Sequence, residues 1–203
     1  MIFEYGKKET EFLSKKDKKL KEQIEKIGFI ERHIDENLFA SLVKIIIGQQ
    51  ISSKAQKSIY EKVQNSLKEI TPKKVNNLSL EEIKSFGMSY RKAEYIKNAA
   101  EKIENNELNL DNLKNLEDEQ VIKELTALKG IGKWSAEMLL IFSLGRKDIL
   151  SFDDYGIRKG LRLLYHHKEL DKQKLICYKK RYSPYGSIAS FYLWEIASNE
   201  GVF

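Results

Sequence analysis

The sequence predicts an all-α fold, on three observations. The chain of 203 residues contains only two prolines, Pro72 and Pro184, and is rich in Lys, Glu, Leu and Ile, which tolerate or favour helix. Its apolar residues recur at helical spacing, and alternating runs of β type are scarce. The length suits one well-filled core, or two small lobes that share one.

Taken in order, a charged helix is expected around Lys16 to Lys26, ended by Gly28. Asp35 is placed to cap a second helix in which Leu38, Phe39, Leu42, Ile45 and Ile46 recur on one face, so that helix should be buried and central. After Gly48-Gln49-Gln50-Ile51-Ser52, a helix from Ser53 to about Ser66 carries Ile59 and Val63 on one side. Thr71-Pro72 leads into short helices at Lys73 to Asn76 and Leu80 to Ser85, and Ser79 with Glu82 has capping-box spacing. The polar stretch from Glu104 to Asn112 reads as a loop. Next comes a Gly130-Ile131-Gly132 turn between two apolar-periodic helices, the second opening at Lys133. An earlier segment, Ile83-x-x-Phe86-Gly87 followed by Ala93-Glu94, echoes it without the second glycine.

Glycines at 130 and 132 let the backbone bend tightly and turn successive N–H groups outward at a helix start, an anion nest reinforced by the helix dipole. An ordinary helix connector has the same outline. About twenty residues on, Asp153-Asp154 precedes Tyr155-Gly156-Ile157-Arg158-Lys159, which continues into Leu161, Leu164 and Tyr165, so a carboxylate stands at a helix entrance. A helix N-cap and a reactive acid are both open readings there.

Composition bounds the function. With 36 basic and 30 acidic residues the net charge is +6 and the pI near 9.1, compatible with a polyanionic partner or with a solvated lysine-rich surface. The single cysteine, Cys177, rules out an intramolecular disulfide and cannot supply an iron–sulfur cluster. His33, His166 and His167 lack partners at metal-ligand spacing. No targeting or membrane-spanning segment is visible, which makes a cytoplasmic, DNA-associated location the expectation.

The motifs Gly48 to Ser52 (GQQIS), Ser89 to Ile96 (SYRKAEYI), the glycine hairpin with its downstream aspartate, and Ser190 to Ala197 (SFYLWEIA) occur in an order that resembles the helix-hairpin-helix (HhH-GPD) DNA glycosylase superfamily, in particular its AlkA-like, DNA-3-methyladenine glycosylase II branch. That resemblance implies two helical lobes with an active-site cleft between them. Residues 1–35 with 146–203 would form one, and 36–145 the other, with the helix-hairpin-helix at about 119–145. Larger relatives carry a β-rich N-terminal extension, which this chain is expected to lack because its first helices begin so early. The resemblance further implies a monofunctional enzyme of base excision repair that hydrolyses the N-glycosidic bond of flipped-out alkylated purines, of the 3-methyladenine and 7-methylguanine type, and leaves an abasic site. Excision of oxidised or deaminated purines such as 8-oxoguanine or hypoxanthine is the alternative enzyme, and a non-catalytic DNA-binding protein the alternative outside catalysis.

By the same resemblance, Asp154 is the catalytic acid and Asp153 merely caps, although the residues alone allow the reverse. A carboxylate there can stabilise oxocarbenium-like charge on the sugar and orient or deprotonate water. Trp134 stands where bifunctional relatives place a Schiff-base lysine, and an indole cannot form an imine. Lys133, one residue away, would point about 100° elsewhere. Trp134 and Trp194 are then pocket walls, with Phe39, Met138 and Tyr155 as further lining; each has a core-packing reading beside it. Two indoles suit a cationic alkylpurine, by roughly 0.5–2 kcal/mol. Gln50 would fill the gap left by the flipped base, with Gln49 as a structural amide in the alternative. Gly130, Ile131, Gly132 and Lys133 would hold DNA phosphate, and the carbonyls of Thr126, Leu128 and Ile131 a structural Na⁺ or K⁺. The partners implied are damaged double-stranded DNA and enzymes that process abasic sites, with the protein a monomer and no membrane involved.

Overall fold

In a computed structural model, which describes residues 1–199, regular structure is helical throughout. The helices are α1 (Lys7–Lys16), α2 (Lys18–Ile27), α3 (Leu38–Gly48), α4 (Ser53–Leu67), α5 (Pro72–Asn76), α6 (Leu80–Ser85), α7 (Tyr90–Glu104), a 3₁₀ turn (Asp111–Asn115), α8 (Asp118–Thr126), α9 (Lys133–Phe142), α10 (Tyr155–Tyr165), α11 (Lys172–Tyr182) and α12 (Gly186–Ser198). An isolated antiparallel bridge joins Ile2 and His33. No helix among the described residues is long and apolar enough to cross a membrane. The chain forms two compact units, Met1–Ile34 with the chain from Gly145 onward, and Asp35–Leu144.

The first unit packs α10 against α12, with α1, α2 and α11 around them. A Cβ at Gly160 would lie 2.3 Å from the Leu193 carbonyl oxygen, so glycine sets how closely the two helices approach. Ile157 and Leu161 of α10 and Ile188 and Tyr192 of α12 are all without solvent exposure. The helix expected around Lys16 to Lys26 and ended by Gly28 is α2, with Gly28 as its C-cap; a further helix, α1, precedes it, and the two break at Asp17. That residue is extended (φ −147°, ψ 110°) and accepts the Leu20 N–H as the cap of α2. Its other oxygen accepts from the Tyr165 hydroxyl at 2.5 Å and from Arg181 Nη1 at 2.6 Å, and Tyr165 in turn meets the Tyr182 hydroxyl at 2.7 Å. Burial first, and then the bond to Asp17, push the Tyr165 phenol far above the ordinary tyrosine value, so it stays a donor.

In the second unit, α3 is the buried helix that the apolar spacing predicts, with Phe39, Leu42, Val43, Ile46 and Ile47 all at or below 3% exposure. Its cap is corrected from Asp35 to Asn37, whose Oδ1 accepts the Ala40 N–H at 2.9 Å; Asp35 instead accepts the Asn37 N–H. Two helix–turn–helix pairs, α6–α7 and α8–α9, realise the echo in the sequence, with Gly87 at φ +107° and Gly130 at φ +82°. The Ser79–Glu82 capping box opens α6 as expected.

Candidate active site and nucleic-acid interface

The aspartate pair lies in the first unit, at the end of a segment stitched to the start of α12. Ser187 Oγ donates to the Arg146 carbonyl at 2.6 Å and accepts the Ile149 N–H at 3.0 Å; Asp148 accepts from Ser183 Oγ at 2.6 Å and from the Gly186 N–H at 3.0 Å. Arg158 reaches back to the Phe152 carbonyl. The chain is thereby fixed on both sides of Asp153 and Asp154.

Of the two, Asp154 is buried, at 8% exposure, and Asp153 is exposed. The expected cap is corrected from Asp153 to Asp154: its Oδ1 accepts the Ile157 N–H at 2.8 Å. The same oxygen accepts the indole N–H of Trp194, also at 2.8 Å. Capping and reactive readings therefore fall on one side chain. Two N–H donors and the N-terminus of α10 hold a carboxylate in a fixed orientation within a mostly desolvated setting, where charge acts strongly. Gly156 makes the contact possible, because a Cβ there would lie 2.6 Å from Trp194 Cδ1 and 3.2 Å from Asp154 Oδ1. Sequence reasoning missed Gly156 and Gly160, although two glycines four apart in an otherwise amphipathic helix signal close helix packing. Tyr155 is 78% exposed and lines a cavity on the flank of α10.

The glycine hairpin lies in the second unit. Gly130 sits at φ +82° with the Tyr95 ring against its Cα, so that a Cβ would be 2.1 Å from Tyr95 Cδ2. Its carbonyl accepts Gln49 Nε2 at 2.8 Å, which gives Gln49 the structural role that the sequence left open. Lys92, whose pKa is lowered by burial, donates to the Ile47 carbonyl at 2.8 Å. Together these bonds tie α7, the hairpin and the end of α3 into one block. Next to Gln49, Gln50 is exposed at φ +56° beside Ile51, itself 37% exposed.

Gly132 differs from Gly130. It has φ −93° and nothing within 4 Å of where a Cβ would stand, so the fold does not require glycine there. In the echo pair Ser89 caps α7 by accepting the Lys92 N–H, whereas Gly132 begins α9 with no side-chain cap. The missing Cβ and the absent side-chain cap leave a backbone surface suited to an anion. Lys133 lies on the first turn of α9, 3.7 Å from Glu137 Oε1, and Trp134 beside it is 37% exposed. Phe39 and Met138 are buried, at 3% and 6%. Ile131 is buried and donates its N–H to the Leu128 carbonyl at 3.2 Å, while Thr126 Oγ1 donates to the Ile122 carbonyl.

These two glycines give separable expectations. Gly130→Ala should destabilise the protein by more than about 1 kcal/mol, from positive φ and the Tyr95 overlap. Gly132→Ala should leave the melting temperature within error while weakening binding to duplex DNA several-fold. Thermal melting and fluorescence anisotropy on both variants check this; equal effects on stability would contradict the distinction.

Comparison with known proteins identifies the family. Residues 43–181 match the family described as HhH-GPD superfamily base excision DNA repair protein. DNA-3-methyladenine glycosylase 1 of Schizosaccharomyces pombe is 32% identical over 162 residues, which cover 77% of this chain and 71% of the relative. The crystal structure of a DNA-3-methyladenine glycosidase from Bacillus halodurans superposes with a TM-score of 0.86 at 37% identity, covering 98% of this chain and 93% of that one. The S. pombe 3-methyladenine DNA glycosylase in complex with abasic DNA gives a TM-score of 0.79 at 29% identity, covering 93% and 96%.

Proposed function

This chain belongs to the HhH-GPD superfamily of base excision DNA repair proteins, and we propose that within it the protein is a monofunctional DNA glycosylase that releases alkylated purines, of the 3-methyladenine and 7-methylguanine type, from duplex DNA. The observation that carries the proposal is the buried Asp154 carboxylate, oriented by the Ile157 and Trp194 N–H groups at a helix N-terminus.

As the base departs, positive charge grows on the sugar. Asp154 stabilises that charge and directs a water to C1′, the bond from C1′ to the base nitrogen breaks with its electron pair going to the base, and the water adds to C1′ with loss of a proton. A purine alkylated at N3 or N7 already carries positive charge, so it leaves as a neutral base without prior protonation. The substrate is thus activated by its own lesion, and a single carboxylate suffices. Trp134, at the N-terminal turn of α9, offers a π face to such a cation and has no amine with which to form an imine. Trp194 and Tyr155 are the aromatic residues beside Asp154. Gln50, on its braced loop tip, fills the gap left by the flipped base, at a cost of a few kcal/mol for extraction. The hairpin backbone from Gly130 to Gly132, with Lys133, takes a DNA phosphate. A monovalent cation held by the carbonyls of Thr126, Leu128 and Ile131 would add positive charge there.

A panel of duplexes containing 3-methyladenine, 7-methylguanine, 8-oxoguanine and hypoxanthine tests the substrate class. Release is expected for the first two and at least tenfold slower for the neutral lesions. Faster excision of 8-oxoguanine or hypoxanthine would contradict it.

A further inference from the structure

The chain's positive charge is unevenly divided. Residues 35–144, which include the glycine hairpin, hold 16 basic and 16 acidic residues; the remainder holds 20 and 14, so the entire +6 resides in the unit of α1, α2 and α10–α12. The unit with the expected phosphate grip is formally neutral, and long-range attraction for a polyanion must originate in the other.

Within that other unit the charge is gathered into a groove. A cavity of about 710 Å³ on the flank of α10 and α2 is lined by Lys19, Lys159, Arg162 and Lys168, with Glu22 as its carboxylate. An adjoining recess of about 310 Å³ shares Tyr155, Lys159, Arg162 and Lys168 and adds Arg158 and Glu169. Five cations thus face two carboxylates. On α10, Tyr155, Lys159 and Arg162 follow one another at helical spacing and form a stripe about 10 Å long at 1.5 Å per residue, and His166, the left-handed residue that ends the helix, lines the same cavity. That length matches roughly three nucleotides of a B-form strand at 3.4 Å each. The stripe begins at Tyr155, an exposed ring next to Asp154 in the chain, and continues in cations.

We propose that this groove is a second DNA-backbone contact, separate from the glycine hairpin, and that it supplies a large part of the salt-dependent affinity. DNA fits better than a free nucleotide because the charge excess extends over a whole unit and the cavity and its adjoining recess share one row of side chains along α10. The proposal rests on DNA being the partner, not on any excision chemistry, and undamaged duplex is therefore the probe.

The test uses the full chain carrying Arg162→Glu and Lys168→Glu. Both side chains are exposed on the groove and neither belongs to the proposed catalytic or base-holding residues. Anisotropy titrations between 50 and 200 mM salt should show affinity reduced at least tenfold at the low end. The slope of log K against log salt should be shallower by about two, since each phosphate contact contributes about 0.9. Base release at saturating DNA should keep its rate, and Arg162→Lys with Lys168→Arg should restore wild-type binding. A melting curve guards against misfolding, and the neutral pair Arg162→Gln, Lys168→Gln serves if the reversed pair does not fold. Wild-type affinity and slope in a folded double variant would overturn the proposal, as would tight binding of a mononucleotide at the groove with duplex binding unaffected. Loss of base release with normal DNA binding would instead count against the glycosylase reading alone.

Discussion

Asp154→Asn is expected to lower release of 3-methyladenine by at least about 100-fold, the lower bound for losing general-base assistance alone, with further loss because the anion that stabilises the sugar cation is gone. DNA binding and folding should be nearly unchanged. The reason is specific to this site: asparagine is as good an N-cap as aspartate, and its amide oxygen can still accept the Ile157 and Trp194 N–H groups that converge on Oδ1. The substitution therefore removes charge while keeping hydrogen-bond geometry. Asp154→Ala loses both and should also cost about 1 kcal/mol of stability from the lost cap. Trp194→Phe keeps a ring but deletes the indole donor. Since a hydrogen bond to a charged group contributes about 1.5–3 kcal/mol, kcat should fall about tenfold or more with KM changed less. Single-turnover base release on the three variants checks the ordering, and a Trp194→Phe enzyme changed only in KM would show that the indole contacts the base without orienting the carboxylate.

The largest effect on stability is expected far from the chemistry, at Asp17. Its side chain is 3% exposed and receives the Leu20 N–H, the Tyr165 hydroxyl and Arg181. Asp17→Ala removes the cap of α2 and leaves the Tyr165 hydroxyl and the Arg181 guanidinium without their acceptor. Arg181 is 40% exposed, so water screens its share, but the buried remainder should bring the loss to about 3–4 kcal/mol. For a chain of this length that is a fall of roughly 10 °C in melting temperature. Asp17→Asn, which keeps the cap and one acceptor, should lose about half as much. Scanning calorimetry decides; an Asp17→Ala protein that melts within 2 °C of wild type would show that the Tyr165 and Arg181 contacts contribute little.

How much of this was legible beforehand follows from the range of the interactions. Local chemistry could be read: the Ser79–Glu82 box, the apolar face of α3, the positive-φ turn at Gly130 and its echo at Gly87 depend on residues a few positions apart. Longer-range partners could not. Asp17 breaks a lysine-rich helical pattern because it meets Tyr165 and Arg181, 148 and 164 positions away. Helices α1 and α11 bury few apolar residues, Leu13 in one and Leu175, Tyr178 and Tyr182 in the other, so periodicity gave little sign of them. At the site, the Asp153-Asp154 pair is legible from its place after the hairpin, and the family resemblance points to Asp154 within it. The shared Oδ1, the bond from Trp194 forty positions on and the Gln49 brace on Gly130 eighty-one positions away required the folded chain. Gly156 stood in the sequence all along, but only the packed α12 explains why it has no side chain.

The measurement that bears most directly on the central claim is to incubate the wild-type protein with duplex DNA methylated at purines, and to quantify free base in solution and strand breaks in parallel. The proposed function predicts stoichiometric release of 3-methyladenine with the DNA strand intact until alkali or an abasic-site enzyme is added, since in that proposal Asp154 directs water, and the indole of Trp134 cannot form an imine. No released base, or strand cleavage that keeps pace with release, would contradict it.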